Sequence, residues 1–318
     1  MLDLSARLVA LGLLDRPTRV FDAHLGAALV EFQRSRRLHS SGECDQITWS
    51  SLVEAGFSLG DRLVYLTSPM MRGDDVAELQ LRLGGLGFDA GRVDGIFGPA
   101  TELAVADFQQ NAGLVADQVC GPETIDLLGR LRHRGGTTTV AGVRERQTLR
   151  HRTINLRGSR VALVHQGAAA QLVGMLGTDL RGRGADVAVL SGDDWSGLAA
   201  EVNEFGAETC IAFEIVDSVV CEAAFFETTG FSSFGGQHLA AIILDELPVT
   251  PIWSLGTIAG MSLPILRETR PPTAAIRLGP GSEISEQCAL IASALARAVL
   301  RWSEEVSTID LAGSTLPV

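Results

Sequence analysis

Lysine is missing from the sequence: all 26 basic residues are arginine, against 38 Asp and Glu, for a formal charge of −12. A surface of that sign keeps a chain soluble and repels phosphate backbones, which sets aside general nucleic-acid binding. Paired cysteine motifs are also missing. Cys44, Cys120, Cys210, Cys221 and Cys288 are scattered and form no CxxC spacing, as suits thiols in a reducing compartment rather than a disulfide framework. No run of about 18 apolar residues occurs, so no membrane span is expected. The opening MLDLSARLVALGLLDR has no basic start and no small-residue cleavage site, and Asp3 and Arg7 interrupt it. It reads as a short amphipathic helix rather than a signal peptide, and the expected location is cytoplasmic.

What is present is 318 residues at 46% hydrophobic, enough for about two domains of roughly 150 residues with cores of their own. The most informative stretch is VDGIFGPATELAVADF, residues 93–108. Asp94-Gly95 is a turn pair that tolerates positive φ. Ile96-Phe97 is an apolar plug. Gly98-Pro99 ends one segment and presets a helix, in which Leu103, Val105, Ala106 and Phe108 are expected to form the apolar face.

The unit occurs twice. At an offset of 76, Phe21 matches Phe97, Phe32-Gln33 match Phe108-Gln109, Leu38 matches Leu114, Cys44 matches Cys120 and Thr48 matches Thr124. Leu11-Gly12 match Leu86-Gly87 at 75. Each copy reads as three helices, in the second over about 73–86, 100–112 and 122–132, with Leu79, Leu83 and Leu86 facing inward. The first copy has Phe21-Asp22-Ala23 for Phe-Gly-Pro and Cys44-Asp45-Gln46 for the second Gly-Pro turn, so its turns must be built differently.

The second copy resembles the peptidoglycan-binding module of cell-wall hydrolases. The resemblance rests on Gly73-Asp74-Asp75-Val76, Leu79-Gln80, Leu86-Gly87-Phe88, the run from Asp94 to Thr101, Phe108-Gln109, and Cys120-Gly121-Pro122-Glu123-Thr124. It implies a glycan or stem peptide near the Gly-Pro turns, with Asp94, Gly95, Phe97 and Gly98 as ligand neighbours. The same four residues also read simply as turn and core.

Between 130 and 160 the charge inverts. Nine arginines from Arg130 to Arg160 stand against Glu145, around Gly135-Gly136-Thr137-Thr138-Thr139. This is a linker by composition, and its arginines suit either the chain's own acids or an acidic or phosphorylated partner. Beyond it, strands and helices alternate: strands at 161–164, 186–190, 209–215, 221–226 and 273–278, helices at 169–183, 195–205, 235–247 and 285–302. That alternation predicts a three-layer α/β domain with a mostly parallel sheet. The expected organisation is α + α/β: a degenerate module at 1–58, a second at 59–133, the Arg-rich linker at 134–158, the α/β domain at 159–303 and a polar tail at 304–318.

Modules in tandem before such a domain resemble the zinc-dependent N-acetylmuramoyl-L-alanine amidases. Ser159-Arg160-Val161-Ala162-Leu163, Gly206 to Phe213, and Leu263 to Thr269 with Pro272 to Ile276 look like that family's strands and their approaches. The resemblance implies zinc on two histidines and a glutamate, with a second glutamate as general base and acid. At those places this chain has Gly167, Glu214 and Arg277. A guanidinium cannot serve as a base, so the expected enzyme is dead, zinc is expected to be absent, and Glu214 and Arg277 are expected to pair. A displaced site of His165, Glu214 and His238 is the alternative that would keep activity.

A dead amidase-like chain with paired modules resembles a group of actinobacterial regulators of peptidoglycan precursor synthesis. That resemblance implies UDP-N-acetylglucosamine enolpyruvyl transferase (MurA) and a Ser/Thr kinase as partners. The tail offers Thr308 and Thr315 as phosphorylation candidates. A wall- or muropeptide-binding protein is the competing expectation.

Overall fold

The structure, a computed structural model, describes residues 1–131, 145, 147, 149, 156–248 and 256–305. Two compact units divide the chain: Met1–Val143 with Thr228–Phe231, and Arg144–Glu227 with Ser232–Val318.

The first unit holds six helices among its described residues: α1 (Leu2–Ala10), α2 (Ala23–Ser35), α3 (Gln46–Glu54), α4 (Asp74–Gly85), α5 (Pro99–Asn111) and α6 (Pro122–Arg130). They form two cores. Leu4, Leu8, Leu25, Leu29, Phe32 and Leu52 meet in the first, and Val76, Leu79, Leu83, Phe97, Val105, Phe108 and Leu128 in the second. The apolar face of α5 differs from the expected one. Thr101, Ala104, Val105, Phe108 and Gln109 are buried, and Leu103 is 61% exposed. The 3.6-residue period runs through Thr101, Val105 and Phe108, which turns Leu103 to solvent.

The turns differ between copies as their residues require. In the second module Gly98 and Gly121 precede helices that begin with proline, and no side chain caps them. In the first, the Asp22 carboxylate accepts from Leu25 N–H and that of Asp45 from Thr48 N–H, each satisfying a donor that the helix start leaves unpaired. The plug differs more. Ile96 and Phe97 are buried, whereas Val20 and Phe21 are 65% and 51% exposed.

A glutamine network recurs in both copies. Gln80 Nε2 donates to Asp94 Oδ1, Ile96 O and Thr101 Oγ1, and its Oε1 accepts from Asp94 and Gly95 N–H. Gln109 does the same with Asp117, Val119 and Thr124, accepting from Gln118 N–H. Gln33 does it with Ser41, Glu43 and Thr48, accepting from Gly42 N–H. Each amide ties a helix to the next turn and to the threonine of the next helix. Gly95, Gln118 and Gly42, the residues presenting N–H to these amides, all have positive φ. At Gly95 a side chain would also crowd Gly73 O at 3.1 Å. In the segment before α4, Arg62 forks Asp75 at 2.7 and 3.1 Å and lies 3.7 Å over the Phe57 ring.

The second unit runs β1 (Arg160–His165), α7 (Ala170–Gly182), β2 (Asp186–Ser191), α8 (Trp195–Phe205), β3 (Thr209–Ile215), β4 (Val220–Thr228), β5 (Phe231–Ser232), α9 (Phe234–Glu246), β6 (Thr257–Met261), α10 (Pro264–Glu268), β7 (Thr273–Gly279), α11 (Gly281–Glu286) and α12 (Cys288–Glu305). The sheet order is β2-β1-β3-β7-β4-β5, with β6 paired to β4. The strands β1, β2, β3 and β7 are mutually parallel, β4 is antiparallel to β7, and β6 is parallel to β4. The sheet is therefore mostly parallel, as expected. The final helix begins as two pieces, α11 and α12, where one was expected. Strand β6 and helix α10 were not foreseen.

On one face of the sheet, Val161, Leu163, Ile211, Phe213, Ile276 and Leu278 pack with apolar side chains of α7, α9 and α12. The segment read by composition as linker contributes here too. Leu149 and Leu156 are buried in this core. Glu145 accepts from Ser233 Oγ at 2.7 Å and Phe234 N–H at 3.0 Å, capping α9. Arginine content disguised residues whose apolar neighbours and caps belong to the fold.

Candidate functional site

The carboxyl ends of β1, β3 and β7 share one edge of the sheet, where open α/β sheets offer their ligand crevice. In register, Glu214 of β3 stands beside Arg277 of β7, and Arg277 beside Glu222 of β4. The three side chains therefore form a row across three strands on one face. Arg277 Nε lies 3.5 Å from Glu214 Oε2. That is an ion pair, too long for a strong hydrogen bond. Their side chains are 32% and 39% exposed, so solvent screens the attraction to about 0–1 kcal/mol. The expected pairing of Glu214 with Arg277 is present. Glu222 was missed, because only the antiparallel return of β4 brings it to Arg277, and no local spacing encodes that return.

Gly167 begins a short 3-10 turn, Gly167–Ala169, that leads into α7. It has φ +52° and open space around it, and it offers no side-chain donor. His165 is 7% exposed, and its Nδ1 has no hydrogen-bond partner among the described residues. Burial pushes its pKa down, so the ring is held neutral. His165 is in register with Phe213, not with Glu214. Successive residues of a strand alternate faces, so His165 and Glu214 project from opposite sides of the sheet. His238 lies on α9, its Nε2 3.2 Å from Glu305 Oε2. The displaced trio of His165, Glu214 and His238 is not brought together. Among the described residues, no three of His, Cys, Asp and Glu converge as metal ligands. The donors at this edge do not fit the zinc that the amidase resemblance implies.

The second candidate is the turn before α5. Asp94 Oδ1 accepts from Gln80 Nε2 at 2.8 Å and Ile96 N–H at 2.9 Å, and Gly95 is buried. Phe97 is fully buried in the second core, which corrects its placement as a ligand neighbour: a ring enclosed by core side chains has no face left for a glycan. Gly98 stays partly open, backed by Met70 with Sδ 3.7 Å from where a Cβ would stand. Missed from sequence are the exposed Met70 beside Gly98 and the exposed Leu63 beside Gly121. Their segment joins the two Gly-Pro turns through the Val64–Cys120 and Arg72–Ile96 bridges. The phosphorylation candidates Thr308 and Thr315 lie outside the described residues.

The family described as "Putative peptidoglycan binding domain" matches residues 1–52 and 72–128. The N-acetylmuramoyl-L-alanine amidase CwlM of Mycobacterium tuberculosis is 32% identical over 87% of this chain and 79% of its own length. A spore cortex-lytic enzyme of Bacillus cereus is 46% identical over 56 residues, 18% of this chain and 22% of that one. Among solved structures, the N-acetylmuramyl-L-alanine amidase Ami1 of Mycobacterium smegmatis covers 48% of this chain and 99% of its own, at 14% identity and a TM-score of 0.42. Likeness at that level carries no residue role across. At 32% identity to CwlM, over most of both chains, the chain belongs to the family of N-acetylmuramoyl-L-alanine amidase CwlM.

Proposed function

We propose that this chain is a non-catalytic, zinc-free amidase-like regulator of peptidoglycan precursor synthesis that acts through protein contacts in the cytoplasm. Its partner on this reading is the UDP-N-acetylglucosamine enolpyruvyl transferase MurA, with a Ser/Thr kinase acting on the tail at Thr308 or Thr315. The observation that supports it is the row Glu214–Arg277–Glu222 at the carboxyl edge of the sheet. A proton shuttle at this place would need a carboxylate that gains and loses a proton. A guanidinium in that place cannot serve as one. A phosphate on the tail would add close to two negative charges beside Glu304, Glu305 and Asp310, deepening an acidic segment that an arginine-bearing partner could read. Among the described residues no helix is long and apolar enough to cross a membrane.

Digestion of purified muropeptides, run with metal analysis of the protein, tests the first half of this reading. No release of stem peptide and no stoichiometric zinc is the expected result, and release of stem peptide would overturn it. Binding of purified MurA to the phosphorylated and unphosphorylated chain tests the second half. A second reading, a peptidoglycan- or muropeptide-binding protein, is favoured by the family match over 1–52 and 72–128. Retention on insoluble peptidoglycan with no affinity for MurA would select it.

A further inference from the structure

Two arginines from earlier in the chain take the first two acids of α4. Arg36, the residue that ends α2, donates from Nη1 to Asp74 Oδ1 at 2.8 Å. Its guanidinium also lies 5.4 Å over the ring of Phe32, in the core of the first module. Arg62 lies 3.7 Å over the ring of Phe57, three residues past the end of α3, and forks Asp75 from Nε and Nη2 at 2.7 and 3.1 Å. Asp75 is fully buried. Successive residues of a helix point about 100° apart. Two pins on adjacent residues therefore fix the rotation of α4 as well as the place of its end.

The pinned start of α4 is bonded in turn to the candidate ligand turn. Gly73 N–H donates to Gly95 O at 3.0 Å, and Phe97 N–H donates to Met71 O at 2.9 Å, with Arg72 and Ile96 bridged between them. Arg62 Nη2 also donates to Arg72 O at 2.7 Å, so the fork on Asp75 and the rung on Ile96 share a residue. A side chain at Gly73 would run into Asp75 Oδ1 and stand 2.9 Å from Arg62 Nη2. That position has to stay bare for the fork to form. An unbroken series of bonds thus leads from the ends of α2 and α3, through Asp74, Asp75 and Gly73, to the turn that carries Asp94, Gly95 and Gly98.

We propose, resting on the second reading above that the chain binds peptidoglycan, that the first module is a mount for the second module's ligand turn. Arg62 and Arg36 are its positioning residues, acting through Asp75, Asp74 and Gly73. A turn already held in shape loses less freedom when a ligand docks. The first copy then has a use that does not depend on its own altered turns, because the ends of its helices supply the anchors. The two pins are unequal. Asp75 is buried and its charge needs the cation beside it. The Arg36–Asp74 pair has side chains 28% and 41% exposed, so solvent screens it and it contributes less.

Hydrogen exchange at the Gly95 amide and the dissociation constant on insoluble peptidoglycan, both measured on the full chain, test this. Arg62→Met leaves Asp75 buried without its cation and should speed the exchange and raise the dissociation constant about tenfold. Arg62→Lys keeps the charge but cannot fork a carboxylate, so it should fall between Arg62→Met and the parent. Arg36→Gln should move both readouts about threefold or less and leave the melting curve unchanged, as suits a screened pair. Leu128→Ala separates positioning from plain stability. It cuts the second core at α6, so it should lower the melting temperature and leave the dissociation constant unchanged well below the transition. Equal loss of affinity in Leu128→Ala and Arg62→Met at matched stability would overturn the proposal. So would a Gly95 amide and an affinity indifferent to both Arg62 variants in folded protein. A parent chain that is not retained on peptidoglycan would sink the binding reading, and Gly95 exchange would then decide the mount alone. Faster exchange in Arg62→Met than in Leu128→Ala would uphold it, and equal or slower exchange would end it.

Discussion

Phe97 is fully buried and Phe21, at the matching place one module earlier, is half exposed. The two modules share helix order, the Gln–Thr tie and the spacing of their core leucines, yet they close the turn before the middle helix in different ways. In the second, Gln80 reaches back to the Asp94-Gly95 turn and draws Ile96-Phe97 inward. In the first, Ser5 stands at Gln80's place. Beyond its own helix its short side chain bonds to Thr18, and the plug stays outside. Where the long amide is missing, a core residue of one module has become a surface residue of the other. A repeat seen in sequence therefore transmits fold more faithfully than it transmits the role of any one residue.

The largest test of that contrast is truncation of the two rings. Phe97→Ala should cost about 3–5 kcal/mol through lost burial and an unfilled cavity. Phe21→Ala should stay within about 0.5 kcal/mol, the range of surface changes. Urea unfolding of the two variants reads the difference directly. Equal costs would mean that Phe21 is buried in solution.

Next in size is the amide itself. Gln80→Leu removes the acceptor for Asp94 and Gly95 N–H inside a closed turn and should cost about 2–3 kcal/mol, since buried donors left unpaired are expensive. Ser5→Ala, at the matching place, should cost about 1 kcal/mol, because it holds one loop residue and no plug. Hydrogen exchange at Gly95 should speed up in the first variant and be unchanged in the second. Protection lost equally in both would show that the two modules unfold as one.

Smaller again are the helix starts. Asp45 and Gly121 have the same extended backbone, with φ −78° and −103°, but only Asp45 brings a capping oxygen. Asp45→Ala should cost about 1 kcal/mol, while Gly121→Asp should gain a few tenths by adding the missing acceptor, roughly the spread between good and neutral caps. Thermal melting resolves the signs. Loss of stability in Gly121→Asp would mean that Leu63, 3.4 Å from the new Cβ, cannot give way.

These contrasts also mark what could be read in advance. The helix positions were legible because Leu79, Leu83, Val105 and Phe108 keep a 3.6-residue period, and the strands of the α/β unit because short apolar runs are bounded by glycine and charge. The Glu214–Arg277 pair was legible because β3 and β7 align by motif. Glu222 was not, because it reaches Arg277 through an antiparallel partner whose register no local pattern records. Val20–Phe21 was not, because its exposure follows from Ser5, some fifteen residues away. Glu145 and Leu149 were hidden by an arginine-rich composition, although a cap and a core contact need only one residue each.

The smallest expected effect concerns acid. In the second module the loop after α5 uses the Asp117 carboxylate where the first module uses the Ser41 hydroxyl. The Val119 N–H first, and then the Gln109 amide, hold the Asp117 carboxyl below its usual range. A folded-state pKa below the unfolded one means that the unfolded chain binds more protons in the interval between them. The stabilisation is therefore complete above the unfolded value, near about 4, and is lost as pH falls through the folded one. Ser41 does not titrate, so its loop carries no such dependence. Asp117→Ser should lower the urea midpoint at pH 6, and the gap from the parent chain should close toward pH 3. A gap that stays constant across that range would show that Asp117 holds its loop as a hydrogen-bond acceptor whatever its charge, and the two modules would then differ in side-chain identity without differing in their response to acid.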